Sequence, residues 1–318
     1  MDCSKDGIGR MSFELSVVIC TFNPKPQNFA RCLEALRTQT APAGAWELVV
    51  IDNRSDEPLE ARTDLSWHPH ARLVREETLG LTPARLRGIR ESTGTLLVFV
   101  DDDNVLDPDY LSQVLRIGRE RPYLGSWSGQ CRGDFERPPP EWTRRYWGNL
   151  AVREFDEDVW SNLPRLAETM PCGAGLVVRR AVADHYLQLN ESGQRGIQFD
   201  RTGSSLMSGG DNDLAACACD LGLGVGLCSS LKLQHIIPPD RLTADYLARL
   251  AEGISYSSIL LDHQRGKPVH QRGLARRLAD ALRTLALRGP DRRIARAARR
   301  GADRAARQVG ASRQTPGA

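Results

Sequence analysis

Three consecutive carboxylates, Asp101, Asp102 and Asp103, follow directly on an apolar run, Leu96-Leu97-Val98-Phe99-Val100. A run of that kind reads as a strand covered on both faces, as in the middle of a parallel sheet. The carboxylates then stand where the strand leaves the sheet, and open α/β sheets bind ligands at the carboxyl ends of their strands. Three adjacent acids repel one another unless a counter-charge joins them. A divalent cation held by carboxylate and phosphate oxygens supplies that charge. The plainer account, an acidic loop solvated at a strand end, applies to many short charge runs.

Five more positions belong to the same chemistry. Asp52 ends a second apolar run at 46–51 and is suited to accept a hydrogen bond from a base or ribose. Arg85 lies in the helical segment Leu81–Glu91 and can face the same groove. Asp211 and Asp213 open another helix. Helix capping explains both acids, yet a first-turn carboxylate is also fixed enough to take a proton from an acceptor hydroxyl. His235 lies near the end of a late strand, where an acidic site awaiting a cation gives a histidine a use beyond packing.

The elements that must hold these residues alternate. Strands are expected at 15–20, 46–51, 71–75 and 96–100, with helices at 28–39 and 81–91 between them. Thr82 is the expected cap of the second helix, with Pro83 at its first position. This alternation predicts an α/β fold, a doubly wound and mostly parallel sheet with right-handed crossovers. Further on, a helix at 107–119 and a strand at 123–131 are expected. A less regular insertion at 132–170 carries Trp142, Trp147 and Trp160; aromatic faces suit sugar rings, although packing anchors are commoner. A glycine turn leads into a strand ending at 179, then a helix at 180–189. The polar, Gly/Ser-rich loop 190–210 has the length and composition of a lid. Short strands are expected at 223–227 and 231–236, and helices at 243–263 and 273–287. Residues 1–12 and the last few are expected to be disordered. The domain boundaries read as 13–240 for the α/β domain and 241–310 for a helical, Arg-rich extension.

Composition narrows the function classes. The chain has 318 residues, enough for a sizeable core, and a net charge of +3. Residues 270–318 carry 13 Arg and 3 Asp, a net of +10, so the first 269 carry −7. That asymmetry suggests a tail that meets an anionic surface, with Leu274, Leu278 and Leu282 on one face. A solvated face on a helix packed against the main domain is the alternative. No recognition motif accompanies the charge, which argues against nucleic acid. The eight cysteines are scattered, so reduced thiols and a cytoplasmic setting are expected, with the charged tail allowing a peripheral place on the inner face of the membrane. Cys217-x-Cys219 lacks a second pair for zinc. No signal peptide is read at the start and no run is long enough to span a membrane. The first strand is followed by Thr-Phe-Asn-Pro-Lys-Pro instead of Gly-x-Gly-x-x-Gly, which counts against a dehydrogenase.

Five segments, taken in order, resemble family 2 glycosyltransferases of the GT-A fold. They are Leu15-Ser-Val-Val-Ile-Cys-Thr-Phe-Asn23, Leu48-Val-Val-Ile-Asp-Asn-Arg-Ser-Asp56, Gly80-Leu-Thr-Pro-Ala-Arg-Leu-Arg-Gly-Ile89, Phe99-Val-Asp-Asp-Asp103 and Gly210-Asp-Asn-Asp-Leu214. The resemblance covers about residues 13–240. It implies a nucleotide-sugar donor, a UDP-sugar first among the choices, a glycan, lipid-linked or small-molecule acceptor, and Mn²⁺ or Mg²⁺. It places Thr21, Asn23, Asp52, Arg85, Asp101 and Asp102 on the nucleotide sugar. Asp103 and His235 are the implied metal ligands, and Asp211 the implied base of an inverting single displacement. Two departures stand out. Leu86 replaces a common Asn. Gly210 replaces a common acidic partner of the base, so Asp213 is a second candidate for that role. The competing readings are a sugar nucleotidyltransferase, which would want a glycine-rich basic loop after the first strand, and a nucleotide-sugar-binding protein without catalysis.

Overall fold

The fold is seen in a computed structural model that describes residues 13–164, 167–196, 199, 206–269 and 274–312. The expected leader at 1–12, residues 197–198 and 200–205 of the expected lid, and 313–318 lie outside the described residues.

Nine strands form one sheet. β1 (Leu15–Thr21), β2 (Trp46–Asp52), β3 (Ala71–Arg75) and β4 (Leu96–Val100) are mutually parallel in the order β3-β2-β1-β4. Their apolar runs are continuous because both faces are covered. Leu15, Val17 and Ile19 of β1 pack with Phe29, Cys32 and Leu36 of α1 (Pro26–Arg37). Val18 points the other way, against Ala84 and Ile89 of α2 (Leu81–Glu91). β2 and β4 split their side chains between the same two layers, as the two-residue period of a strand requires. Each fully buried Val or Leu contributes roughly 1.5–3 kcal/mol. A Cβ at Gly88 would stand 2.4 Å from Val18 Cγ1. Only glycine lets α2 lie this close to β1, and that approach presses Arg85, one turn earlier, onto the sheet edge.

Four later strands and one short one complete the sheet: β5 (Asn104–Leu106), β6 (Leu124–Phe135), β7 (Val159–Ser161), β8 (Leu176–Arg179) and β9 (Gly224–Ile237). β8 runs antiparallel between β4 and β6, β6 pairs parallel with β9, and β5 and β7 run antiparallel to β9. The parallel pattern expected from the first half therefore gives way to a mixed second half. The two short strands expected at 223–236 are one strand, which continues through Ser229 and Ser230 because β6 pairs with it past a register shift between Ser128 and Gln130. α3 (Tyr110–Glu120) starts later than expected. The Asp107 carboxylate is taken by Arg132, and the Pro108 carbonyl by the Thr40 amide.

Thr82 does not cap α2. Gly80 is the N-cap residue, with φ +135°, and its N–H donates to Asn53 Oδ1 at 2.8 Å. Thr82 is buried and hydrogen-bonded with Tyr186. Pro83 falls inside the first turn, where a missing N–H costs the helix nothing.

α4 (Arg180–Glu191) and α5 (Gly210–Asp220) cover the same face as α2. The chain ends in α6 (Ala244–Gln264), α7 (Leu274–Ala286) and α8 (Gly289–Ser312). The Thr243 hydroxyl caps α6 by accepting from Tyr246 N at 3.2 Å. The Ala/Arg-rich stretch 294–309 is in large part packed. Ile294, Ala297, Ala305 and Val309 of α8 are buried against α6. A Cβ at Gly301 would lie 2.1 Å from the Glu252 carbonyl oxygen, so small residues set the spacing of the two helices. Arg300 pairs with Glu252 at 3.0 Å. The extension also shares a core with the main domain: Leu150 and Ile237 pack with Leu242, Leu247 and Leu250.

Among the described residues no helix is long and apolar enough to cross a membrane. The seven described cysteines are free thiols.

Candidate active site

β1, β2 and β4 are parallel and in register, so Thr21, Asp52 and Asp101 emerge at one edge. β8 runs the opposite way, and its entry, Gly173-Ala174-Gly175, returns to that edge. Gly175 has φ +66°, and its carbonyl accepts from the Tyr110 hydroxyl at 2.8 Å. This turn aims the Gly173 N–H at α5, where it donates to Asp211 Oδ2 at 2.7 Å. The antiparallel pair β5–β9 sets Asn104 opposite His235, and the Ile236 N–H donates to the Asp103 carbonyl at 2.9 Å. That ladder brings Asp103 and His235 together across more than a hundred residues of sequence.

One cavity of about 670 Å³ results, lined by Arg85, Asp101, Asp102, Asp103, Gly173, Asp211 and His235. Arg85 is 5% exposed and lies in the field of both Asp211 and Asp101. Asp102 is half-buried, and desolvation, with Asp103 adding to it, pushes its carboxyl up to about 7 against the opposing Thr21 hydroxyl. Thr21 Oγ1 donates to Asp102 Oδ2. Burial also disfavours charge on Asp103, but His235 and then Arg241 outweigh it and hold that carboxyl down at about 2.

Two other expected nucleotide contacts, Asp52 and Asn23, are not among the residues that line the cavity. Both oxygens of Asp52 are engaged: Oδ1 by Ser55 N at 2.9 Å, Oδ2 by Leu59 N at 3.3 Å and Arg75 at 3.0 Å. Asn23, at φ 47°, joins the β1 and β2 exit loops through Asp56 at 2.8 Å and Ser55 at 2.9 Å. Both residues shape the loops that frame the edge.

Asp211 and Asp213, two residues apart on α5, have different surroundings. Asp211 is half-buried and faces the cavity. Asp213 is 2% exposed and points into an ion cluster, with Arg265 at 3.0 Å and Arg195 at 3.0 Å. Arg265 also reaches Asp220 at 3.0 Å and the Asp213 carbonyl at 2.8 Å. Helix positions two residues apart are rotated by about 200°, which sends the two side chains to opposite faces.

Asp103 and His235 suit a divalent cation. Oδ2 and Nε2 are 3.4 Å apart, and His235 Nδ1 is 2.9 Å from the Leu150 carbonyl. A proton on Nδ1 leaves the Nε2 lone pair facing Asp103, the usual second contact of a metal-binding histidine. Among the described residues no three His, Cys, Asp or Glu side chains form a complete ligand set, so water or substrate oxygens would fill the remaining positions.

Sequence reasoning missed Arg241, whose Nη1 is 3.0 Å from Asp103 Oδ2 and 3.1 Å from His235 Nε2. It also missed Tyr246, Leu250 and Ile254, which carry α6 into the cavity wall beside Phe199 and Met207. A hint was present in the Pro238-Pro239 pair, which turns the chain back just after β9. None of Trp142, Trp147 and Trp160 lines the cavity; Trp142 packs on Tyr146 and Trp147 on Phe135.

Comparison with known proteins agrees with this architecture. Residues 16–186 match the profile of Glycosyl transferase family 2. The glycosyltransferase YibD of Escherichia coli is 34% identical over 109 residues, 34% of this chain and 31% of that protein. The glycosyltransferase AglE of Haloferax volcanii is 32% identical over 92 residues, 28% and 30% of the two chains. The match thus spans about a third of the length of these relatives. The crystal structure of S. aureus TarS 1–349 in complex with UDP-GlcNAc superposes with a TM-score of 0.52 at 16% identity, covering 95% of this chain and 92% of that one. The fold is a GT-A-like α/β sheet with flanking helices. The chain belongs to Glycosyl transferase family 2.

Proposed function

We propose that this protein transfers a sugar, of the hexosyl type, from a nucleoside diphosphate donor to an acceptor hydroxyl in one inverting displacement. The observation that carries this reading is the gathering of Asp101, Asp102, Asp103 and Asp211 in a single cavity, with buried Arg85 in the field of both Asp101 and Asp211. Asp211 takes the proton of the acceptor hydroxyl. The acceptor oxygen attacks the anomeric carbon, the bond from that carbon to the phosphate oxygen breaks, and the nucleoside diphosphate leaves from the opposite face. The Gly173 N–H fixes one oxygen of Asp211 and so aims the other. Asp103 and His235 would hold Mn²⁺ or Mg²⁺, which when bound neutralises charge on the leaving diphosphate. A UDP-sugar is the favoured donor, because structural neighbours are described with UDP and with UDP-GlcNAc. Phe199, Met207, Leu250 and Ile254 form an apolar wall on the side of Asp211, which favours a lipid-linked or otherwise partly apolar glycan acceptor.

The test is donor binding. Purified protein is titrated with UDP-, GDP- and dTDP-sugars in Mn²⁺ or Mg²⁺, following heat release and nucleotide release. A single preferred donor, bound with metal and weakened by Asp103→Ala, is the expected result. Folded protein that binds no nucleotide sugar under any of these conditions sinks the reading.

Peripheral contact with the inner face of the cytoplasmic membrane is proposed for α7 alone, since α8 is packed on α6. Leu282 and Leu285 are 68% and 55% exposed, with Arg283 between them. Such a face inserts its apolar side chains at an interface and holds anionic headgroups by its arginines. Replacing Leu282 and Leu285 together by Ser should reduce co-sedimentation with phosphatidylglycerol vesicles severalfold, to the level seen with phosphatidylcholine. Equal sedimentation of both forms would rule the contact out.

A further inference from the structure

Arg241 stands where a cation would stand. A single nitrogen of its guanidinium lies 3.0 Å from Asp103 Oδ2 and 3.1 Å from His235 Nε2, the two atoms that converge on the metal position. The Nδ1 contact with Leu150 leaves Nε2 able to accept from Arg241. The arginine thus satisfies two buried groups, Asp103 and His235, each 9% exposed, that would otherwise face one another without a cation. Its own position is held by a stiff backbone, because it lies three residues after Pro238 and its N–H donates to the Pro238 carbonyl at 3.1 Å. The side chain itself is 25% exposed and borders the cavity, so it has somewhere to go. A guanidinium also has a natural second partner in a diphosphate, which its planar fork binds at two oxygens.

We propose that Arg241 is a gate on the cation position: its guanidinium fills the site in the donor-free protein and moves to the diphosphate when donor and divalent cation load together. The inference rests on the donor reading above. It explains why two protein ligands suffice. Among the described residues the cation is offered Asp103 and His235, and both are engaged by Arg241 until a nucleoside diphosphate draws it off and supplies further oxygens. Loading is therefore coupled, and the coupling is reciprocal: cation strengthens nucleotide binding by the same factor.

The experiment measures Mn²⁺ uptake by electron paramagnetic resonance of free Mn²⁺, with and without UDP, and UDP binding by calorimetry. Wild type, R241Q and D103A are compared after circular dichroism shows each to be folded. Wild type is expected to take up Mn²⁺ weakly alone and roughly tenfold more tightly with UDP, within the range usual for coupled sites. R241Q is expected to take up Mn²⁺ roughly tenfold more tightly than wild type without nucleotide, and to lose most of the enhancement by UDP. D103A should take up none at this position. R241Q binding Mn²⁺ no better than wild type, or wild type binding it equally with and without UDP, overturns the gate. UDP binding in wild type with no Mn²⁺ uptake in either state overturns the gate and the metal assignment together and leaves the donor reading intact. No UDP binding at all overturns the donor reading and the gate with it.

Discussion

Replacing Asp211 by Asn is expected to lower the rate of sugar transfer roughly 10³-fold while donor binding is unchanged. The substitution keeps size and hydrogen bonding at Gly173, since the amide oxygen can still accept the 2.7 Å bond, but removes the ability to take a proton. Single-turnover transfer to acceptor, measured beside donor calorimetry, separates the two effects. Asp213→Asn is the necessary comparison. Asp213 is turned from the cavity and held between Arg265 and Arg195, both at 3.0 Å, so its loss should lower stability first and rate only as a consequence. Full activity in Asp211→Asn, with activity lost in a stable Asp213→Asn, would reverse the assignment.

Removing Arg265 is expected to cost about 3 kcal/mol of stability, the usual scale for breaking a buried ion pair from one side. Its side chain is 6% exposed and Asp213 is 3% exposed. Besides Asp213 it binds Asp220 at 3.0 Å and the Asp213 carbonyl at 2.8 Å. Arg265→Ala leaves Asp213 with Arg195 and the weaker contact from Gln264 at 3.3 Å. Since α5 carries Asp211 in its first turn, transfer should fall as well. Urea unfolding at pH 7 gives the first number and initial rates the second. An unchanged unfolding midpoint would show that the cluster contributes specificity of packing without stability, a known alternative for buried ion pairs.

The parts of the site legible in the sequence are those set by local pattern. Strands buried on both faces advertise themselves as apolar runs, and the carboxylates at their ends follow, so Asp52 and Asp101 to Asp103 were recognisable as residues of one edge. Asp52 shows the limit of that logic. It stands at the strand end the pattern predicts, yet Ser55, Leu59 and Arg75 engage its oxygens, and no spacing rule reports a hydrogen bond donated from a loop. β5 is a harder case. Three residues, Asn104–Leu106, carry no periodicity, yet their pairing with β9 is what sets Asp103 beside His235. The packing of the C-terminal extension was hard to read for a related reason. Alanine and glycine give little hydropathy signal, although at helical spacing they let α8 sit close on α6.

The sequence by itself determined the α/β class, the binding edge and the chemical kinds of group gathered there, because burial of alternating strand faces and the direction of parallel strands follow from local order. Tertiary structure alone decided which of two neighbouring acids faces the cavity, that α6 supplies one of its walls, and that Arg241 stands between Asp103 and His235. Those outcomes depend on contacts between residues far apart in the chain, here Asp103 with Arg241 and Asp213 with Arg265, and the energy of such contacts is absent from any local stretch of sequence.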